Sequence, residues 1–296
     1  MTKWLMHLLK DFSAILTENA PLAPLTTFRI GGPARYLFRA QSEAQLGEIL
    51  VRLEDNGIGF RVLGGGSNIL VDDAGYPGAV IRLDGGLAGI DFNGARATVG
   101  AGALLARLVA ECARRGLAGV ECLAGIPGTA GGALVMNAGG RHGYVGPLVR
   151  SVSVFDGARL REVAGADAAF SYRSSSFAGK VVGSAELELR PFPAQAVAAS
   201  TREIMLEKRR LQPLSAASAG CVFRNPPNGP PAGALIDRAG LKGAWVGGAR
   251  VSQMHANYIV NAGGATAADV KRLIEKVRAA VSAKFGVELE LEIDLW

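Results

Sequence analysis

Apolar residues recur at helical spacing in several stretches of the chain and at strand spacing in others. Leu46, Ile49, Leu50 and Leu53 keep the three-and-four interval of one helix face. Ser42 with Gln45 three positions on is a capping-box pattern that opens this helix, and Gly57 and Gly59 end it. Leu104, Leu105, Leu108, Val109 and Cys112 form a second face, closed by Gly116. Val270, Leu273, Ile274, Val277, Val281 and Phe285 form a longer stripe, which Thr266 caps with Asp269 at the third helical position. Residues 196–210 read as a helix with a basic end, Lys208-Arg209-Arg210, and 234–239 as a short one. The opening residues, to about Leu16, also carry helical spacing before Pro21 and Pro24 extend the chain.

Short apolar runs bounded by turn residues predict strands at 36–39, 60–63, 68–71, 80–83, 90–92, 97–99, 149–155 and 181–189. Between the last two lies FSYRSSSF (170–177), too polar for a core strand. The end of the chain gives the clearest strand signal: Val287, Leu289, Leu291, Ile293 and Leu295 alternate with Glu288, Glu290, Glu292 and Asp294. Period two predicts a continuous strand over 287–295 with its acidic residues on one face.

Two glycine-rich segments fit neither period. GIPGTAGGALVMNAGG (125–140) forces sharp bends, and LGGGSNIL (63–70) has three glycines in a row. Glycine permits positive φ and carries no Cβ, so such turns bare their N–H groups, which form cradles for anions where a helix begins. Two cradles in one chain suit a diphosphate cofactor. LGGGSNIL runs on into the strand predicted at 68–71, whereas a Rossmann fingerprint needs a helix there, so that reading is disfavoured.

Composition narrows the class further. The 296 residues suffice for two or three domains, and 49% hydrophobic with 20% charged residues reads as a globular protein. The net charge of +6 favours anionic partners. A nucleotide ligand is as consistent with that charge as a nucleic acid, and aromatic residues at 6% give little stacking surface for single strands. Cys112, Cys122 and Cys221 contain no CxxC pair, which argues against a disulfide frame or a metal site. The run Trp4, Leu5, Met6, Leu8 and Leu9 is interrupted by His7, Lys10 and Asp11, and no run has the length of a membrane span. Cytoplasmic location without membrane insertion is the expectation.

The cradles and their surroundings resemble the FAD-dependent UDP-N-acetylenolpyruvoylglucosamine reductases. The resemblance rests on TTFRIGGPA (26–34), LGGGSNIL (63–70), GIPGTAGGA (125–133), SYRSSSF (171–177), AGCVFRNP (219–226), AGALIDRAGLKG (232–243), HANYIVN (255–261) and ELELEI (288–293), in this order over nearly the whole chain. It implies an α+β flavoprotein of three parts. Residues 1–82, rejoined by 293–296, and 83–208 would grip FAD in a domain of the vanillyl-alcohol-oxidase (PCMH) type, and 209–292 would bind substrate. Gly64, Gly65, Gly66, Ser67 and Asn68, with Gly128, Thr129, Gly131, Gly132 and Ala133, would hold the diphosphate through backbone amides.

The implied reaction passes a hydride from NADPH to FAD and then to the double bond of UDP-N-acetylglucosamine enolpyruvate, giving UDP-N-acetylmuramate for peptidoglycan. Arg173 would polarise the substrate carboxylate, and Glu292 would act on the same carboxylate. Cys221 stands where most of the family has serine as the proton donor. A thiol of reference pKa about 8.5 is mostly protonated at neutral pH and can donate. Tyr172, Asn225 and a base among Lys208 and Arg209 would contact the UDP-sugar, and Arg224 replaces a lysine common in the family. The compact connection from Arg173 to Cys221 leaves no room for the extra tyrosine-bearing loop of some members. The rival expectation is a FAD-dependent oxidase or dehydrogenase of a small hydroxy acid. Neither oligomeric state nor a partner chain follows from the sequence.

Overall fold

The computed structural model describes residues 11–296. The helix expected over the opening residues lies outside them up to residue 10, and Leu16–Pro21 is already a strand. The fold is α+β, and the chain forms two compact units. Of the described residues, the first contains 11–18, Tyr36–Gly65 and Gly78–Glu207; the second contains Asn19–Arg35, Gly66–Pro77 and Lys208–Trp296.

In the first unit the predicted helices form for the predicted reasons. Helix α1 (Glu43–Asp55) buries Leu46, Ile49, Leu50 and Leu53, each worth about 1.5–3 kcal/mol relative to exposure. Ser42 caps it by accepting from the Gln45 N–H, while the Gln45 side chain turns to the N–H of Gln41, so the box is displaced by one residue. Helix α2 (Leu105–Arg115) buries Leu105, Leu108, Val109 and Cys112 and ends at Gly116 in the left-handed region. Leu104 is 56% exposed: it is the residue before the first turn and not part of the apolar face.

A four-stranded sheet runs in the order Leu16–Pro21, Pro33–Ala40, Tyr76–Leu83, Phe60–Val62, with the last pair parallel. A five-stranded sheet runs Arg159–Ala164, Val149–Asp156, Val181–Glu188, Arg96–Gly100, Ile90–Asn93, antiparallel throughout. Arg159–Ala164 has no counterpart in the hydropathy pattern. It is an edge strand, almost wholly exposed, and is defined by its ladder to Val149–Asp156 and not by burial. Helices α3 (Ala130–Val135) and α4 (Ala194–Leu211) complete this unit up to Glu207.

The second unit packs helix α5 (Ala232–Arg238) and helix α6 (Ala267–Phe285) with a sheet ordered Ser218–Cys221, Tyr258–Asn261, Ala249–Val251, Trp245–Val246. Helix α6 buries Val270, Leu273, Ile274, Val277 and Val281, leaves Phe285 partly buried, and carries the complete Thr266–Asp269 capping box. The Asp73 carboxylate takes the next two amides, those of Ala267 and Ala268, at 2.7 and 3.0 Å.

The continuous strand expected over 287–295 does not form. Only Asp294–Leu295 is a strand, parallel to Ile69–Leu70, with an isolated bridge between Leu291 and Phe223. Leu289 and Ile293 are buried while Glu288 and Glu290 are exposed, so the alternation reports one face laid on the core. Burial sets that period, and the backbone pairing is split between the bridge to Phe223 and the two-residue ladder to Ile69–Leu70 instead of running along one neighbouring strand.

Candidate functional site

Strand Phe60–Val62 delivers the chain into Gly64 and Gly65, which lie against the bend before α3. A Cβ added to Gly65 would stand 2.6 Å from the Gly128 Cα, and one on Gly64 2.5 Å from the Thr129 Oγ1. These glycines therefore serve first to let two loops touch, Gly65 against the Gly128 backbone and Gly64 against the Thr129 side chain, which differs from the expectation that their missing side chains simply face a ligand. Gly131 likewise packs inward, its added Cβ meeting that of Ala101 at 2.9 Å. Gly132 is the open position, with nothing nearer than the Thr129 Oγ1 at 3.8 Å.

Main-chain bonds fix this bend: Ala130 donates to Ala103, Gly131 to Ala101, and Leu105 to Gly128. Ala133 donates to the Thr129 carbonyl, closing the first turn of α3. The Thr129 side chain makes no capping bond. Among the described residues, the N–H groups of Gly64, Gly65, Gly128, Thr129 and Gly132 meet no protein acceptor. Bared amides converging at a helix start are an anion-binding arrangement.

The remainder of the first glycine segment belongs to the second unit. Gly66, at φ 60°, turns so tightly over Leu25 and Thr26 that a Cβ would stand 2.4 Å from the Leu25 carbonyl oxygen, which it accepts by taking the Thr27 N–H on its own carbonyl. Ser67 follows it, and the Asn68 side chain donates to the Glu292 carbonyl at 3.1 Å.

SYRSSSF forms a tight turn in the first unit. Ser171 and Ser174 exchange both backbone bonds, which leaves Tyr172 and Arg173 at the tip. Tyr172 is 43% exposed, and the Arg173 guanidinium lies over its ring at 5.4 Å. Arg173 sits at φ 54°, a conformation that costs a non-glycine residue about 1–2 kcal/mol. Three bonds hold the turn: Asn137 Nδ2 donates to the Ser171 carbonyl (2.9 Å), Ser175 Oγ to the Val135 carbonyl (2.9 Å), and Arg173 Nη1 to the Gly139 carbonyl (3.1 Å). At about 0.5–1.5 kcal/mol each, together they match or exceed the backbone strain over most of that range. Beyond Gly139–Gly140, Arg141 and His142 bind the Glu207 carboxylate, the His142 Nε2 at 2.8 Å. Burial would raise the Glu207 pKa, but these two partners outweigh it and hold it below the usual carboxylate value.

In the second unit the segments that carry Cys221 and Glu292 run side by side. The Glu292 N–H donates to the Val222 carbonyl at 2.8 Å, one residue from Cys221, and the Arg224 N–H to the Glu290 carbonyl at 2.9 Å. Asn257, 3% exposed, grips both backbone groups of Phe223 through its side-chain amide and accepts the Val222 N–H on its carbonyl. Asn257 thus shapes the segment that carries Cys221; hydropathy gave no sign of this, though the residue falls inside HANYIVN. Asn225 accepts the Ala232 N–H at the start of α5. Lys208 is half-buried and Arg209 exposed at the end of α4. Cys221 is half-buried, whereas burial pushes the Cys112 thiol up to about 12. No cluster of metal-ligating side chains and no helix long and apolar enough to cross a membrane occurs among the described residues.

Residues 34–158 match the family model of an FAD binding domain, and 212–296 match that of the UDP-N-acetylenolpyruvoylglucosamine reductase C-terminal domain. The chain is 45% identical over 284 residues to the UDP-N-acetylenolpyruvoylglucosamine reductase of Syntrophobacter fumaroxidans, covering 93% of this chain and 82% of that one. It is 42% identical over 299 residues to reductase 2 of Symbiobacterium thermophilum, covering 100% and 96%. The solved structure of the reductase from Thermus caldophilus superposes with a TM-score of 0.82 at 39% identity, over 95% of this chain and 98% of that one. A glucose dehydrogenase, Phl p 4.0202, shares the fold alone, with a TM-score of 0.51 at 16% identity over 76% and 53%.

Proposed function

Because the chain belongs to the family of UDP-N-acetylenolpyruvoylglucosamine reductases, we propose that its bared glycine amides hold the FAD diphosphate and that Arg173, Cys221 and Glu292 carry the substrate chemistry. The protein is an FAD-dependent oxidoreductase with a PCMH-type FAD-binding domain and a C-terminal substrate domain. It reduces UDP-N-acetylglucosamine enolpyruvate to UDP-N-acetylmuramate with NADPH, a step of peptidoglycan precursor synthesis. The oxidase or dehydrogenase reading is not favoured: the likeness to such enzymes is one of fold, at 16% identity.

One observation carries the cofactor assignment: the loops of Gly64–Gly65 and Gly128–Gly132 meet, and among the described residues the N–H groups of Gly64, Gly65, Gly128, Thr129 and Gly132 are unclaimed by protein acceptors. That arrangement fits a diphosphate, whose oxygens need several donors at close range. In this proposal Gly66, Ser67, Asn68, Gly131 and Ala133 shape the loops. Gly131 and Asn68 do so through the packing and the bond to Glu292 already described. Bound FAD supplies the hydride relay between NADPH and the enolpyruvyl double bond.

The chain's own groups supply the remainder. Arg173 meets the substrate carboxylate and stabilises negative charge as it develops, from a guanidinium oriented by Gly139. Cys221 donates the proton to the carbon next to the one that takes the hydride, so that one hydride and one proton add across the double bond. Glu292 acts on the same carboxylate. Tyr172, Asn225 and a base among Lys208 and Arg209 contact the UDP-sugar. We assign 1–82 with 293–296, 83–208 and 209–292 as the three functional parts. We place the reaction in the cytoplasm, where thiols stay reduced, with no nucleic-acid partner.

The test is spectroscopic. The purified protein is yellow, anaerobic NADPH bleaches it, and UDP-N-acetylglucosamine enolpyruvate restores the colour. A well-folded protein that refuses FAD in excess would overturn the cofactor assignment, and colour that the UDP-sugar does not restore would overturn the substrate assignment.

A further inference from the structure

We propose that Asn137 is a positioning residue for Arg173, fixing the turn that presents the guanidinium to substrate; this rests on the reading of Arg173 as the group that meets the substrate carboxylate. Asn137 is 6% exposed and sits at φ 44°, just past the end of α3. Both ends of its amide are engaged: Nδ2 donates to the Ser171 carbonyl at 2.9 Å, and Oδ1 accepts the Gly146 N–H at 3.0 Å. Ser171 opens the four-residue turn whose tip is Tyr172 and Arg173, and the Arg173 side chain donates to Gly139, two residues beyond Asn137. Backbone and side chain of Arg173 are therefore both referred to the segment 137–139. That segment leaves the helix whose other end is the diphosphate cradle.

Asparagine meets the requirements at position 137 that glycine, aspartate and alanine each fail. Glycine takes the left-handed conformation and offers no amide. Aspartate also visits this region and has the right shape, but it has no donor and would set a carboxylate against the Ser171 carbonyl. Alanine satisfies neither condition. Gly146 is part of the same device: an added Cβ would stand 2.9 Å from the Asn137 Oδ1 and 2.8 Å from the Phe170 Cγ, so a side chain there displaces the amide without removing it.

A buried amide that merely stabilised the fold would affect both half-reactions and FAD retention together. A positioning residue for Arg173 affects the second half-reaction alone. Asn137→Asp, Gly146→Ala, Arg173→Ala and the double variant Asn137→Asp/Arg173→Ala, each as FAD-loaded protein, are compared by anaerobic stopped flow. The rate of bleaching by NADPH and the rate of recolouring by UDP-N-acetylglucosamine enolpyruvate are followed separately. FAD content and calorimetric affinity of the oxidised protein for the enolpyruvyl substrate are the readouts besides turnover.

Asn137→Asp and Gly146→Ala are expected to slow recolouring about 10- to 100-fold, the cost of a misplacement on the order of 1 Å, and to weaken substrate binding. Bleaching and FAD content stay at wild-type values, and Asn137→Asp adds no further loss on the Arg173→Ala background. The Asn137 proposal fails if Arg173→Ala slows recolouring while Asn137→Asp and Gly146→Ala do not, or if both half-reactions fall in proportion. If Arg173→Ala itself recolours at the wild-type rate, the reading of Arg173 fails and the proposal with it. Should Asn137→Asp not fold, Gly146→Ala decides the matter alone.

Discussion

Gly65 and Gly128 are in direct backbone contact, so close that a Cβ on the first would stand 2.6 Å from the Cα of the second. Neither partner is the end of a flexible side chain, so nothing can yield cheaply. Gly65→Ala is expected to part the two loops, lower stability by about 1–3 kcal/mol as overpacking does, and lower the FAD content of the purified protein. Visible absorbance per protein and a denaturant titration read both effects. Gly132→Ala meets open space where the ligand is placed, and is expected to lower FAD content with little change in stability.

Cys221→Ser and Cys221→Ala separate a proton donor from a space-filler. If Cys221 donates the proton, alanine lowers the recolouring rate by about 10² to 10⁴, while serine retains it in large part. An alanine variant at the wild-type rate would remove Cys221 from the mechanism.

The three thiols should differ in reactivity. Cys112 and Cys122 are buried, with Cys112 pushed up to about 12, so little thiolate forms there at neutral pH. Iodoacetamide applied to the native protein is expected to label Cys221 well ahead of the other two, as read by peptide mass mapping. Prior saturation with substrate should slow that labelling.

The cap of α6 gives a pH signature. Asp269 is lowered to about 2, first by the Thr266 N–H, then by Arg272 and the Gly248 N–H. Its folded value lies below the unfolded one. The stability it contributes is therefore complete above about pH 4 and is lost as the pH falls toward 2. Asp269→Asn should flatten the stability profile across that window. Thr266→Ala, which removes the other half of the box, should cost about 1 kcal/mol at neutral pH, measured by chemical denaturation.

His255 points the same way at milder pH. Burial and the nearby Lys242 hold its pKa below the usual value, and its Nδ1 accepts the Asn257 N–H. Protonation must break that acceptance, so stability should decline as the pH drops below about 6.5. His255→Gln should lessen the decline, as read from melting temperature against pH.

The amphipathic helices were legible because one physical demand, burial of a stripe, writes itself directly into residue order: Leu46 to Leu53 and Val270 to Val281 show it. Arg159–Ala164 was illegible because an exposed edge strand has no such demand. The 287–295 segment misled because its alternation records which side chains face the core, whatever the backbone pairs with. The glycine cradles could be located, yet part of their reason lay elsewhere: Gly65 is needed by Gly128 and not only by a ligand. Arg173, Cys221 and Glu292 came from the resemblance of ordered motifs and not from spacing. Asn137 could not be found in either way, because its left-handed backbone and doubly engaged amide exist only once 146 and 171 have come beside it.

The division of the chain also orders events on the ribosome. Everything the first unit uses has been made by Glu207, but Phe28, Ile30 and Leu70 belong to the second core, whose other members begin at Ala219. These three early apolar residues emerge and must wait while roughly 150 (Leu70) to roughly 190 (Phe28 and Ile30) more residues are added, for about 7–40 s at ordinary elongation rates. Nascent chains stalled near residue 210 should therefore expose that apolar surface to chaperones, while chains carried through the last strand should not.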